Sequence, residues 1–137
     1  MTNSGPLTKM DEYPRHQIGG TFDSVQSDSV HWNDGFYFTL GDEATGATLF
    51  AAIRLYPNTN VMDGFACITL DGRQHNVRWS RRLRPEIDNI GVGPLALHII
   101  EPLQKLQLEC AENDYGISFN LMWEGLHEPY LEDRIVR

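Results

Sequence analysis

A chain of 137 residues and 15.6 kDa fits one domain and excludes two independent cores. With 11 Lys plus Arg against 19 Asp plus Glu, the formal charge is −8, which excludes a nucleic-acid binder driven by phosphate contacts and a ligand of anionic membrane surfaces. At 41% hydrophobic and 10% aromatic, the composition is too apolar for a disordered chain, and no apolar run approaches the ~18 residues of a membrane helix.

Residues 1–28 are polar and hold Gly5, Pro6, Pro14 and the Gly19-Gly20 pair, which predicts an extended arm. The first 20 residues lack the apolar stretch of a secretory signal, so the expected location is the cytoplasm. From Ser29 the apolar residues alternate with period two, the mark of half-buried strands. Phe36, Phe38 and Leu40 face one way, with Tyr37 and Thr39 on the other side. Leu49, Ala51, Ile53 and Leu55 repeat the pattern, while Phe50 and Tyr56 give the second face apolar character. A third run, Val61 to Leu70, ends at Asp71-Gly72, a hairpin signal because both residues tolerate positive φ. The return strand is predicted over His75 to Leu83, with Arg78 and Arg82 on one face and Trp79, Arg81 and Leu83 on the other.

Pro85 to Pro94 reads as a breaker-rich crossing. Leu95 to Ile100 and Leu103 to Cys110 are predicted strands split by Pro102, which marks a strand end or a bulge. A helical reading of Leu103 to Glu112 fits the spacing of Leu103, Leu106 and Cys110, but alternation and the missing N-cap favour a strand. The last run places Tyr115, Ile117, Phe119, Leu121 and Trp123 on one face, after a turn at Asn113-Asp114. Residues 126–137 form a charged tail. The expected domain therefore spans residues 29–125, an all-β antiparallel lipocalin-like barrel or β-sandwich, rich in strand and without a helix beyond about ten residues.

Standard catalytic signatures are absent, and the five histidines do not fall at metal-motif spacings, so neither a metal nor an organic cofactor is expected. Cys67 and Cys110 form no CxxC pair and read as small core hydrophobes. The segment 31–38 (HWNDGFYF) is the densest mixture of aromatic and ionisable groups. It reads either as a turn followed by a core strand or as a ligand contact. Asp63 lies just inside a strand run, placing its carboxylate at a solvated rim or in a cavity where desolvation raises its pKa towards general-acid use. His98 shares a strand face with Ala96 and Ile100 and reads more simply as a rim residue than as a catalyst. The stretch 73–84 carries five arginines, which form a solvated face or a docking site for a carboxylate or acidic surface.

The runs HWNDGFYFTL (31–40), LYPNTNVMDGFACITLDG (55–72) and GPLALHIIEPLQKLQLE (93–109) resemble the first domain of the hydroxyneurosporene-synthase-like proteins, the carotenoid 1,2-hydratase-like members of the lipocalin-like superfamily. The resemblance covers roughly residues 12–125 and implies two consecutive β-domains with an apolar ligand in or between them, used without a cofactor. A second domain would begin near Arg137, so the resemblance implies a first half that continues or pairs with another chain.

Two functions follow as expectations. One is part of a cofactor-independent hydratase, lyase or isomerase for a terpenoid, steroid or aromatic molecule. Its acid–base candidates are Asp63, His31 and Tyr37, and its ligand contacts are Trp32, Phe65, His98, Trp123 and Arg78. The other is a non-catalytic ligand-binding or structural module that pairs with a second β-domain. The large apolar groups of Tyr115 to Trp123, together with Trp32, Phe50 and Tyr56, also predict a homo-oligomer or a complex with a second β-domain chain. Its interface would include Trp123, Phe119 or their sheet neighbours.

Overall fold

The computed structural model describes residues 7–14, 25 and 27–131. Most of the expected N-terminal arm, and the tail beyond residue 131, lie outside the described residues. Where the arm is described it is not simply extended. Lys9–Glu12 forms a short 3-10 turn opened by Thr8, whose backbone N–H donates to Asp11 Oδ2 at 2.6 Å. Glu12 Oε2 accepts the backbone N–H of Leu103 at 2.8 Å and ties this turn to the body.

Alternating apolar residues form strands here because period two puts every second side chain on one face. The first sheet is an antiparallel meander of β1 (Asp34–Asp42), β2 (Ala47–Tyr56), β3 (Val61–Leu70) and β4 (Arg73–Arg82), in that order. The second is a meander of β5 (Gly91–Val92), β6 (Leu95–Glu101), β7 (Lys105–Cys110) and β8 (Phe119–Glu124). The chain is all-β, and among the described residues no helix is long and apolar enough to cross a membrane.

Asp71 (φ 49°) and Gly72 (φ 71°) both occupy the left-handed region, the type I′ geometry that matches strand twist and sets the β3–β4 register. In that register Phe38, Ala51, Ala66 and Val77 form one cross-strand row, and Phe36, Ile53, Gly64 and Trp79 form the next. These rows face the Leu97–Leu108–Leu121 and Ile99–Leu106–Trp123 rows of the second sheet. Between them Ile53, Leu55, Met62, Leu83, Leu95 and Leu108 are fully buried. Phe38 and Trp123 meet across the gap with ring centroids 4.8 Å apart. At Gly64 the sheets come so close that a Cβ would lie 2.6 Å from Val92 Cγ1.

The strand reading of the region after Pro102 is correct, but β7 starts only at Lys105. Leu103 adopts φ 66° and Gln104 donates to the Glu101 carbonyl, closing a turn first. A register shift between Ile99 and Glu101 supplies the irregularity expected beside Pro102. The last strand is shorter than its sequence pattern and begins at Phe119. Asn113 diverts the chain before it: its Nδ2 donates to the carbonyls of Ala111 and Ile117, and its Oδ1 accepts the Tyr115 N–H. Tyr115 is left exposed, while Ile117 is buried outside any strand.

The crossing from β4 to β5 carries the second sheet back over the first, and Arg81 holds it. Its Nε donates to the Gly91 carbonyl at 2.6 Å. Nη1 donates to Arg82 and Leu83 (2.7 and 3.3 Å), and Nη2 to Glu86 and Asn89 (3.1 and 2.5 Å). All five N–H donors of the guanidinium thus go to backbone carbonyls. Asn60 adds a second tie, its carbonyl accepting the Leu83 N–H and its Oδ1 the Arg84 N–H.

Arg81→Lys replaces a planar fork by a point charge and takes a donor from the part-buried carbonyls of Leu83 and Gly91, so chemical denaturation is expected to show a loss of about 1–2 kcal/mol. Gly64→Val is expected to cost about 1–3 kcal/mol by overpacking against Val92. Gly41→Ala meets nothing within 4 Å and should stay within about 0.5 kcal/mol of the parent.

Candidate functional site

The two sheets differ on their outer faces. Outward positions of the second sheet are mainly polar. Gln107 Nε2 donates to Asn120 Oδ1 at 2.8 Å, Lys105 Nζ lies 3.3 Å from Glu124 Oε1, and His98 Nε2 lies 3.5 Å from Glu109 Oε2. The first sheet carries an apolar strip on its outer face as well, while β4 presents only polar residues there. One outward row is Tyr37–Ala52–Phe65–Arg78, and the next is Thr39–Phe50–Cys67–Asn76.

Aromatic rings link these rows. Tyr37 meets Phe50 edge-on with centroids 4.6 Å apart, and Phe50 lies 5.4 Å from Phe65. Arg78 sits over the Phe65 ring at 6.0 Å, the outer limit of a cation–π contact. Tyr37 keeps 55% of its surface exposed and Phe50 keeps 37%, yet Ala52 between them is only 1% exposed. The rings therefore close over the small residue, and Tyr37 and Phe50 stay partly exposed themselves.

Asp63 stands beside this cluster, facing Arg54 across the β2–β3 register. Burial against its neighbours pushes its carboxyl above the ordinary value, and the positive charges of Arg54 and Arg78 pull it partly back. Its place is neither of the two expected from sequence: it is part-buried on an outward sheet face, not at a solvated rim or in an interior cavity.

The structure gathers Asp63, Tyr37, Phe65 and Arg78 onto this one outer face and puts the other candidate residues elsewhere. His31 is exposed in the turn before β1, where its backbone N–H donates to Ser29 Oγ. Trp32 packs on the core edge, and Asn58 fastens this turn by donating to the carbonyls of Ser27 and Ser29. Trp123 points inward against Phe38, and His98 faces solvent on the second sheet. Phe119 and Trp123, expected at an interface, lie on the core side of β8, where they pair with Cys110 and Leu106 of β7. The open aromatic face lies on β1–β3 instead.

Phe50 and Arg54 complete the cluster, although neither is among the acid–base or ligand-contact residues that the sequence suggests. The apolar parity of Phe50 is the one local signal that points to it. Two surface hollows lie away from the cluster. One of about 430 Å³ is framed by Leu7, Lys9, Leu103, Gln104 and Glu128, and one of about 160 Å³ by Glu12, Pro14, Asp34 and Phe36. Among the described residues no three His, Cys, Asp or Glu side chains gather as a metal site.

A carboxyl whose pKa is higher folded than unfolded holds its proton more readily in the folded chain. Stability contributed by Asp63 therefore falls as pH rises from 3.8 to its raised value, and Asp63→Asn is expected to remove that slope. Carboxyl carbon titration by NMR should place Asp63 above 3.8, and Arg54→Gln or Arg78→Gln should move it further up. A midpoint at or below 3.8 would mean that the cations outweigh burial.

Residues 7–137 match a family described as "Family of unknown function (DUF8625)". No curated protein and no solved structure matches the chain.

Proposed function

The chain belongs to this family of unknown function, and we propose from its own surfaces that it is a non-catalytic binding module whose working surface is the outer face of β1–β4. The observation that carries the reading is the exposed Tyr37–Phe50–Phe65 cluster on a sheet whose inner face already builds the core. Sheets with one solvated face normally alternate apolar-in and polar-out, as the second sheet does here. Aromatic side chains are costly to leave in water and are concentrated at docking surfaces.

The face is an open sheet and not a concave pocket, so it suits another protein surface better than a small molecule. A second β-sheet is the natural occupant, stacked about 10 Å away as in a sandwich. The resemblance to lipocalin-like proteins built from paired β-domains supports the same reading. The hydratase, lyase or isomerase alternative needs two ionisable groups converging on one cavity. Here Asp63 and Tyr37 share an open face, and His31 sits in a separate turn. Two free thiols, Cys67 and Cys110, support placement in the cytoplasm.

Radical footprinting in intact cells, compared with the diluted purified chain, tests the docked face. Tyr37 and Phe50 are expected to be labelled several-fold less in cells, while Met122 and Tyr115 are labelled equally in both. Equal labelling at all four residues would refute a docked face.

A further inference from the structure

We propose that the outer face of β1–β4 receives the surface of a different protein, acidic where it meets Arg78 and Arg82 and apolar where it meets Tyr37 and Phe50. The proposal rests on the reading of that face as the working surface and names the chemistry of its partner.

The fold sorts the arginines. Of the five in the stretch 73–84, Arg81 is taken up by the carbonyls of the crossing, and Arg84 Nη1 donates to the Pro57 carbonyl at 2.9 Å. Arg73 pairs with Leu70 at the hairpin and shares the parity of Val77, on the core side of the sheet. Arg78 and Arg82 are left on the outer face, both exposed, and β2 adds Arg54. Among the described residues no carboxylate lies within ion-pair distance of any of these three.

Charge names the partner. Arg54, Arg78 and Arg82 against Asp63 give the paired outward positions of β1–β4 a charge of +2. The chain as a whole carries −8, so everything outside this face carries −10. A second copy would bring +2 against +2 and is disfavoured. A nucleic acid or an anionic membrane is an extended polyanion, and the acidic surroundings of the face repel it. A protein surface with a few carboxylates fits within the patch and is attracted by it.

Composition and spacing agree. All three cations of the face are arginines, while Lys9 and Lys105 lie elsewhere. A guanidinium grips a carboxylate through two parallel N–H···O bonds, and contact surfaces are enriched in Arg, Tyr and Phe and depleted in Lys. Arg78 and Arg82 stand four residues apart on one side of β4, which at about 3.3 Å per residue sets them about 13 Å apart. A partner strand stacked nearly parallel to β4 meets both with carboxylates at i and i+4. Phe65 beside Arg78, with Tyr37 and Phe50 beyond it, then meets the apolar part of the partner.

Two measurements test this. The first is an NMR titration of the purified chain with a synthetic extended peptide of about ten residues, carrying Glu at i and i+4 and Leu at i+2. Signals of Arg78, Phe65 and Phe50 are expected to shift, and the peptide with Gln in place of both Glu should bind about tenfold more weakly. Salt at about 0.5 M should weaken the Glu peptide several-fold. A Glu peptide that binds no better than the Gln peptide, or not at all, overturns the proposal.

The second measurement repeats the footprinting in intact cells. Arg78→Glu combined with Arg82→Glu should return Tyr37 and Phe50 to the labelling of the diluted chain, whereas Arg73→Glu should leave them protected. Circular dichroism checks that each variant folds. Protection that survives the double charge reversal overturns the acidic partner alone and leaves a docked face of other chemistry. No protection in the parent overturns both readings. Protection that appears in the purified chain on concentration alone identifies a second copy and overturns the proposal.

Discussion

The Arg81 guanidinium is the interaction on which the rest depends. The crossing between the sheets must leave β4, cover one end of the core with Leu83, Ile87 and Ile90, and deliver Val92 opposite Gly64. Such a path takes the backbone out of ladder pairing, and the carbonyls of Leu83 and Gly91 are left part-buried on it. Regular structure would pair them along a ladder, but a ladder cannot make this turn. One planar cation with five fixed donors replaces it, drawing the carbonyls of residues 82, 83, 86, 89 and 91 towards one point. Once that knot is tied, two meanders that share no ladder become the two walls of one core.

That division of labour explains why two neighbouring arginines have opposite fates. Arg78 and Arg81 differ by three residues and therefore by face. Arg78 goes outward over Phe65, and Arg81 goes to the inner side at the strand's end, where the crossing begins. The charge-rich stretch 73–84 is therefore not one patch. Part of it is internal scaffolding, and only part remains available on the surface.

Much of this was legible in the sequence. Period two from Ser29 onward, Asp71-Gly72, and the alternation of Leu106, Leu108 and Cys110 are local signals, and each maps directly onto a strand or a turn. Parity also placed Phe36 and Phe38 opposite Tyr37 and Thr39. The illegible parts were those that depend on residues far apart in the chain. Tyr115 and Ile117 continue the alternation of β8 but lie outside it, because Asn113 uses its side chain to take over the backbone partners that a strand would need. Parity sets Phe50 apart from Leu49, Ala51 and Ile53 and groups Trp123 with Leu121, but that Phe50 meets Tyr37 and Phe65 depends on the pairing of β1, β2 and β3. Arg81 looked like any other arginine, since its partners are carbonyls and carry no residue identity.

The outer layer of the first sheet is partly apolar as well, with Tyr37, Phe50 and Phe65 in contact across β1–β3. Ala51 and Ala66 keep the inner side thin where the sheets approach, and Ala52 does the same on the outer side beneath Tyr37, Phe50 and Phe65. A small residue flanked by large rings on adjacent strands makes a surface with a floor and walls. Asp63 feels those surroundings directly: its carboxyl is desolvated on a face that is formally the outside of the molecule. Desolvation at an outward position is a property of apolar neighbours that have already excluded much of the water. The inner face of the sheet is covered by β5–β8, while on its outer face Tyr37, Phe50 and Phe65 shield Ala52 and draw Asp63 out of water without closing the surface.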